Sequence, residues 1–146
     1  MWAVGDGGCH PIDAITAPIT AAGLPDHSCY LTLDNAAGTH AYERLELTAT
    51  AGTWVVEPPA RIEPGEVVRC WLQDGLGTNG SSGHVSYRRA DDPEASVSRI
   101  ELSCPLVGTN SCSAPGSFAT RVGDDAWHEE RVAYWGHPLF VDAEVR

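Results

Sequence analysis

The chain has no lysine. All nine of its basic residues are arginine, set against twenty acidic residues, and the formal charge is -11. Nucleic-acid binding draws on Lys and Arg that displace counterions from phosphates, so this balance excludes a nucleic-acid partner. It also disfavours anionic lipid surfaces, where attraction comes at about 1 kcal/mol per basic residue. A membrane partner would have to offer a neutral or zwitterionic headgroup. Long hydrophobic runs are absent too, and no stretch approaches the roughly 20 apolar residues of a membrane-spanning helix. The first residues, "MWAVGDGGCH", lack both a basic region and an apolar core of about 7 to 15 residues. The expectation is a protein without a visible signal peptide, acting extracellularly after secretion or release.

A sustained 3.6-residue apolar period is missing, whereas two-residue alternation recurs. "SCYLTLDN" sets Cys29, Leu31 and Leu33 against Tyr30, Thr32 and Asp34; "YERLELTAT" sets Leu45 and Leu47 against Arg44, Glu46 and Thr48. "EVVRCWLQ" sets Val68, Cys70 and Leu72 against Val67, Arg69 and Trp71. "HVSYRR" pairs Val85 with Tyr87, and "VSRIELSC" aligns Ile100, Leu102 and Cys104. Weaker strands are expected in "SFATRV", "RVAYW" and "PLFVDAEV". Turn chemistry punctuates these runs: Pro64-Gly65 suits a type II turn, Pro58-Pro59 marks a strand end or edge, and "DGLGTNGSSG" is a glycine-rich loop. The pattern predicts an all-β protein, a single antiparallel β-sandwich of about seven to ten short strands. Residues 1–146 form one domain, with 1–25 a loosely ordered leading segment.

Five cysteines, at 9, 29, 70, 104 and 112, leave at least one unpaired. Short-loop closure of Cys104 with Cys112 and a second pair of Cys9 with Cys29 are the expected disulfides. Cys70 shares an apolar face with Val68 and Leu72, where a thiol serves as inert packing.

Enzyme signatures are scarce. No Gly-x-Ser-x-Gly elbow occurs, and His84 beside Ser82 and Ser86 is a sequence neighbourhood rather than a triad. The set Cys9, His10, His27 and Cys29 fits no standard zinc spacing. Asp91, Asp92 and Glu94 lack the EF-hand spacing for calcium. The adjacent acidic pairs Asp91-Asp92, Asp124-Asp125 and Glu129-Glu130 diverge on a strand and read as solvated turns. No catalytic residue, metal site or cofactor is expected. Aromatics are more informative, because Trp and Tyr suit a wet face against lipid or sugar. Trp71, Tyr87, Trp127, Tyr134 and Trp135 are the candidate ligand-binding residues, the last three lying close to His128 and His137.

The order "GTWVVEPPARIEPGEVVRCW", "GLGTNGSSGHVSY" and "CPLVGTNSC", within about residues 28 to 112, resembles the aegerolysins and related bacterial crystal-type and haemolysin-like proteins. The matching positions are Gly52 and Trp54; Pro58, Pro59, Pro64 and Gly65; Gly77, Thr78, Gly80, Gly83 and Tyr87; and Pro105, Gly108 and Asn110. "GDDAWHEERVAYWGHP" falls outside that pattern. The resemblance implies a sandwich similar in architecture to the sea-anemone pore formers, with Trp54 in its core and no catalytic machinery. It also implies binding to membrane lipid, often sphingolipid-containing, sometimes beside a larger pore-forming protein, and so cytolytic or insecticidal action. The rival expectations are a sandwich that recognises a glycan or protein through Trp127, Tyr134 and Trp135, and a small hydrolase or metal-dependent enzyme.

Overall fold

The computed structural model describes residues 26–75, 80–123, 126–128 and 130–146. One sheet takes β1 (Cys29–Asp34), β3 (Thr53–Val56), β5 (Val67–Gln73), β9 (Phe118–Arg121) and β11 (Leu139–Val145), in the order β3-β5-β1-β11-β9. The other takes β2 (Tyr42–Ala51), β4 (Arg61–Ile62), β6 (Gly80–Arg89), β7 (Ser98–Pro105), β8 (Asn110–Ser113) and β10 (Val132–Tyr134), in the order β10-β8-β7-β6-β2-β4. The protein is an all-β sandwich, as the alternation predicts. The eleven strands among the described residues exceed the expected number because β3, β4 and β8, of 4, 2 and 4 residues, are too short to show a period. Pairing is antiparallel except between β1 and β11, which run parallel. The leading segment 1–25, and Gly77 and Thr78 of the glycine-rich stretch, lie outside the described residues.

The chain passes between the sheets at almost every connection, so each strand contributes one face to a shared interior. Leu31, Leu33, Cys70, Leu72 and Val141 come from the first sheet, and Val85, Tyr87, Ile100, Leu102 and Cys112 from the second. Phe118 packs edge-on to Tyr42, with ring centroids 5.2 Å apart, and tilted against Tyr87 at 6.2 Å. The passage from β2 to β3 turns on Gly52, at φ 80°. A Cβ there would lie 2.2 Å from the Gln73 carbonyl oxygen, so no larger residue fits.

Leu45 departs from the expected alternation. A register shift between Arg44 and Glu46 marks a β-bulge, and the extra residue turns out to solvent at 46% exposure while Leu47 packs on the core. Pro64 and Gly65 form a turn closed by the Glu66 N–H donating to the Glu63 carbonyl at 3.1 Å, with Gly65 at φ 84°. Asn35 ties this turn to the end of β1: its side-chain amide donates to the carbonyls of His40 and Glu63. The Pro58-Pro59 break gives up donors but supplies acceptors. Pro58 O receives the Arg44 guanidinium at 2.6 Å, and Pro59 O receives the Tyr87 hydroxyl at 2.7 Å.

The expected Cys104–Cys112 disulfide is not formed; both thiols are free and buried, as are Cys29 and Cys70. The register explains this. Cys112 lies opposite Leu102 rather than Cys104, so the two cysteines are diagonal neighbours on adjacent strands. Diagonal neighbours stand about 7–8 Å apart, their Cβ atoms somewhat closer, which is still well beyond the roughly 4 Å between Cβ atoms that a disulfide needs. Cys29 is free as well, its Sγ 3.3 Å from Ser81 Oγ, and its expected partner Cys9 lies outside the described residues.

Burial pushes the Cys104 thiol up to about 12 and raises Cys29, Cys70 and Cys112 in the same way. An unfolded thiol titrates near about 8.5, so the unfolded chain loses these protons first. Stability is therefore full below about pH 8.5 and falls as pH rises toward 12, by about 1.4 kcal/mol per pH unit for each such thiol. Urea unfolding across pH 8–11 should show this decline, and Cys104→Ala should make it shallower. A slope unchanged by that substitution would contradict the buried-thiol assignment.

Candidate functional site

The five aromatics singled out in the sequence are not gathered on one surface. Trp71 does point away from the Cys70 face, as the alternation requires, but it is fully buried in a second cluster. There Tyr30 stacks on Phe140 at 4.9 Å and on Trp71 at 6.1 Å, with Val56 packed alongside. Tyr87 is fully buried in the main core, and Tyr134 is 9% exposed. Trp54 packs on the same core, its indole N–H donating to the Thr48 carbonyl at 2.8 Å. Trp71 and Tyr87 are therefore packing residues, which corrects their expected outward role. A two-residue period tells which face a side chain takes, and not whether other side chains cover that face.

Trp127 has a structural setting of its own. The guanidinium carbons of Arg121 and Arg146 lie 4.5 Å and 4.9 Å from its ring centroid. Its neighbour His128 forms a reciprocal backbone pair with Thr120, which holds this segment to β9. With arginines against its ring, Trp127 offers little open surface to a ligand. Of the five, only Trp135 is widely exposed, at 86%.

Trp135 lies in the turn between β10 and β11. The other turn at that end joins β7 to β8 and carries Leu106, 39% exposed, and Val107, 87% exposed. Backbone pairing puts the two turns side by side: Tyr134 is opposite Asn110, and the Asn110 side-chain amide donates to the Gly136 carbonyl. Gly108 at φ 112° and Gly136 at φ 94° make the tight reversals. The result is a tip with three exposed apolar side chains on two tied turns. Leu45, Val55, Val67 and Val97 are also exposed, but from separate places along the chain.

The base of this tip is braced. His27 stacks on His137 with ring centroids 4.3 Å apart. The His27 N–H donates to Asp74 Oδ2 at 2.8 Å, and the Ser81 hydroxyl donates to the His27 carbonyl at 2.6 Å. Gly80 pairs with Pro105, so β6 begins beside the Leu106 turn. These contacts connect the start of β1 and the end of β5 to the rims of both turns. Leu106 and Val107 are not among the residues expected from the sequence, although "PLVG" beside a glycine reversal is a legible sign of an exposed apolar turn.

The chemistry-bearing sets considered from the sequence disperse. His84 Nδ1 faces both Thr48 Oγ1 at 2.8 Å and an Arg99 N–H at 3.1 Å. Arginine can only donate, so Nδ1 is the acceptor and the ring proton sits on Nε2. Nε2 is 3.2 Å from Glu46 Oε2 but outside hydrogen-bond geometry. The lone pair a general base would use is thus already engaged. Asp91 is clamped by Arg89 at 3.1 and 3.0 Å, which holds its carboxyl below the usual range, and Asp92 caps the Glu94 N–H at 3.0 Å. Cys9, His10, Asp124, Asp125 and Glu129 lie outside the described residues. Among the described residues, no group of three or more His, Cys, Asp or Glu side chains is placed to hold a metal ion.

No protein-family model matches the chain, and no curated protein matches it by sequence. Solved structures do match its fold. The lipid-binding protein Nakanori aligns over 92% of this chain and 78% of its own, with a TM-score of 0.62 and 12% identity. RahU, solved with a bound Tris molecule, aligns over 82% and 95% with a TM-score of 0.55 and 8% identity. IP-1A from Alcaligenes faecalis aligns over 82% and 91% with a TM-score of 0.51 and 12% identity. At such identities the likeness is one of fold.

Truncation separates packing aromatics from displayed ones. Trp71→Ala should cost about 3–5 kcal/mol of unfolding free energy. Trp135→Ala should stay within about 0.5 kcal/mol of the parent. Urea denaturation of both variants checks the assignment.

Proposed function

We propose that this protein binds membrane lipid through the tip formed by Leu106, Val107 and Trp135, at surfaces with neutral or zwitterionic headgroups. The observation that carries the reading is the pair of tied turns that leaves Val107 and Trp135 almost wholly exposed. Full transfer of such a side chain from water contributes about 1.5–3 kcal/mol, and an indole settles well at the headgroup level. Two or three of them on a braced tip provide useful affinity with little ordering cost. The charged groups bonded around the base, Asp26 and Asp74, are acidic, as is the chain at large. This charge opposes an anionic surface and leaves neutral or zwitterionic ones accessible. Similarity of fold to Nakanori, and the aegerolysin-like order of motifs in residues 28 to 112, support the same reading.

The glycan reading has less support: of its three aromatics, Trp127 is flanked by two guanidinium groups and Tyr134 is buried, which leaves Trp135.

Co-sedimentation with vesicles of phosphatidylcholine, sphingomyelin, or either with phosphatidylserine added tests the proposal. Binding to the zwitterionic vesicles, weakened by phosphatidylserine at low salt, is the expected result. Val107→Asp and Trp135→Ala should each weaken it by about tenfold or more, as loss of 1.5 kcal/mol or more requires. Absence of binding to every vesicle, or binding indifferent to both substitutions, would overturn it. Dye release from the same vesicles distinguishes binding from lysis.

A further inference from the structure

The outer face of the β6-β7-β8 sheet carries a trough of about 280 Å³ that the tip does not use. Its floor follows from the strand register. Ser82 is opposite Ser103, and Ser103 is opposite Ser111, so three hydroxyl-bearing residues lie in one row across three strands. Thr50 of β2 extends the row, its Oγ1 2.6 Å from Ser82 Oγ. Side chains this short leave a depression wherever longer ones stand at the margins. Arg131 borders one side and Arg99, with Glu101, the other.

The charges in the trough run against those of the whole chain. Glu101 is answered by Arg99 at 3.1 Å, and His84 turns its Nδ1 toward Thr48 and Arg99. Arg131 forms no ion pair among the described residues. Its guanidinium instead donates twice to Ser111 Oγ, at 3.2 Å from Nε and 3.1 Å from Nη2. Two arginines against one carboxylate give the lining a formal +1 in a protein of formal charge -11. The Ser111 oxygen accepts from a cation, so its own proton is directed elsewhere and is a strengthened donor. Adjacent strands are about 4.8 Å apart, so one oxyanion oxygen can reach hydroxyls on two of them at about 2.7 Å.

We propose that this trough binds a phosphate-ester group, with Arg131 and Arg99 supplying charge and the Ser82, Ser103 and Ser111 hydroxyls supplying donors. A tetrahedral oxyanion has enough acceptor sites for this many convergent donors, and it supplies a carboxylate-like partner that Arg131 does not find among the described residues. The group belongs either to a soluble phosphomonoester or to the headgroup of a lipid on which the tip already rests. The site is built from residues separate from the tip, so it stands or falls independently of the membrane proposal.

The test titrates inorganic phosphate and O-phosphoethanolamine into the full chain, following amide shifts by NMR and heat by calorimetry at fixed ionic strength, with chloride as control. Millimolar-range binding with shifts centred on residues 82, 103 and 111 is expected, at least tenfold weaker in Arg131→Gln and in Ser111→Val. Arg131 is exposed and in no ion pair among the described residues, so Arg131→Gln should fold as the parent does. Vesicle co-sedimentation of Arg131→Gln then identifies the source. A loss comparable to that of Val107→Asp assigns the site to a lipid headgroup, and unchanged sedimentation assigns it to a soluble ester. No shift on the trough at 20-fold above about 1 mM phosphate, or shifts equal in parent and Arg131→Gln, would overturn the proposal. Failure of all variants and parent to bind vesicles, with phosphate still bound, would remove the tip proposal alone.

Discussion

Everything in this molecule depends on β1 being held between β5 and β11. Leu31 and Leu33 enter the core from it, paired with Cys70 and Val68 on one side and Val141 and Ala143 on the other. The β11 partner lies over a hundred residues away and runs parallel, so this ladder closes the longest loop in the described structure. Closing such loops costs entropy before any contact returns it. The return comes from burial on both faces: the main core beneath, and Tyr30 stacked between Trp71 and Phe140 above. Sheets of this kind often leave one side wet, and here the aromatic layer makes the central strands double-sided.

The same ladder sets the geometry of the tip. Once Cys29 is opposite Leu139, the residues just before β1 meet the turn just before β11, and His27 comes to stack on His137. Asp74 and Ser81 then fasten His27 from the β5 and β6 sides. Exposed apolar turns are costly in water and tend to be found where something covers them. A braced base lets the protein display Val107 and Trp135 without allowing those turns to fold back on the sandwich.

The two sheets solve different problems on their outer faces. Over β1, β5 and β11 three outward positions are aromatic, Tyr30, Trp71 and Phe140, and they pack together with Tyr30 and Trp71 buried. Over β6, β7 and β8 a row of serines, Ser82, Ser103 and Ser111, leaves room between longer side chains such as Arg99, Glu101 and Arg131. Several arginines are matched locally by acidic residues, as with Arg99 and Glu101, Arg121 and Asp142, or Arg146 and Glu144. Such exposed pairs add little stability. Their effect is to orient the few cations of an acidic chain, which makes an arginine bonded, among the described residues, to a serine alone a chemically distinct feature.

Much of the architecture was open to a reading of the residues alone. Alternation of apolar and polar residues depends only on the pleat, so β1, β5, β6 and β7 were legible, and so was the inert place of Cys70. The Pro64-Gly65 reversal was legible because only a glycine accepts its positive φ. What the sequence could not decide were the contacts between distant segments: the bulge that exposes Leu45, the parallel closure by β11, and the two-residue offset that keeps Cys104 from Cys112. Nor could it decide that Trp71 would be covered while Trp135 stayed bare, because exposure depends on which strands become neighbours. Periodicity is a local property of the backbone, whereas burial and register are properties of pairs, and those pairs exist only in the folded chain.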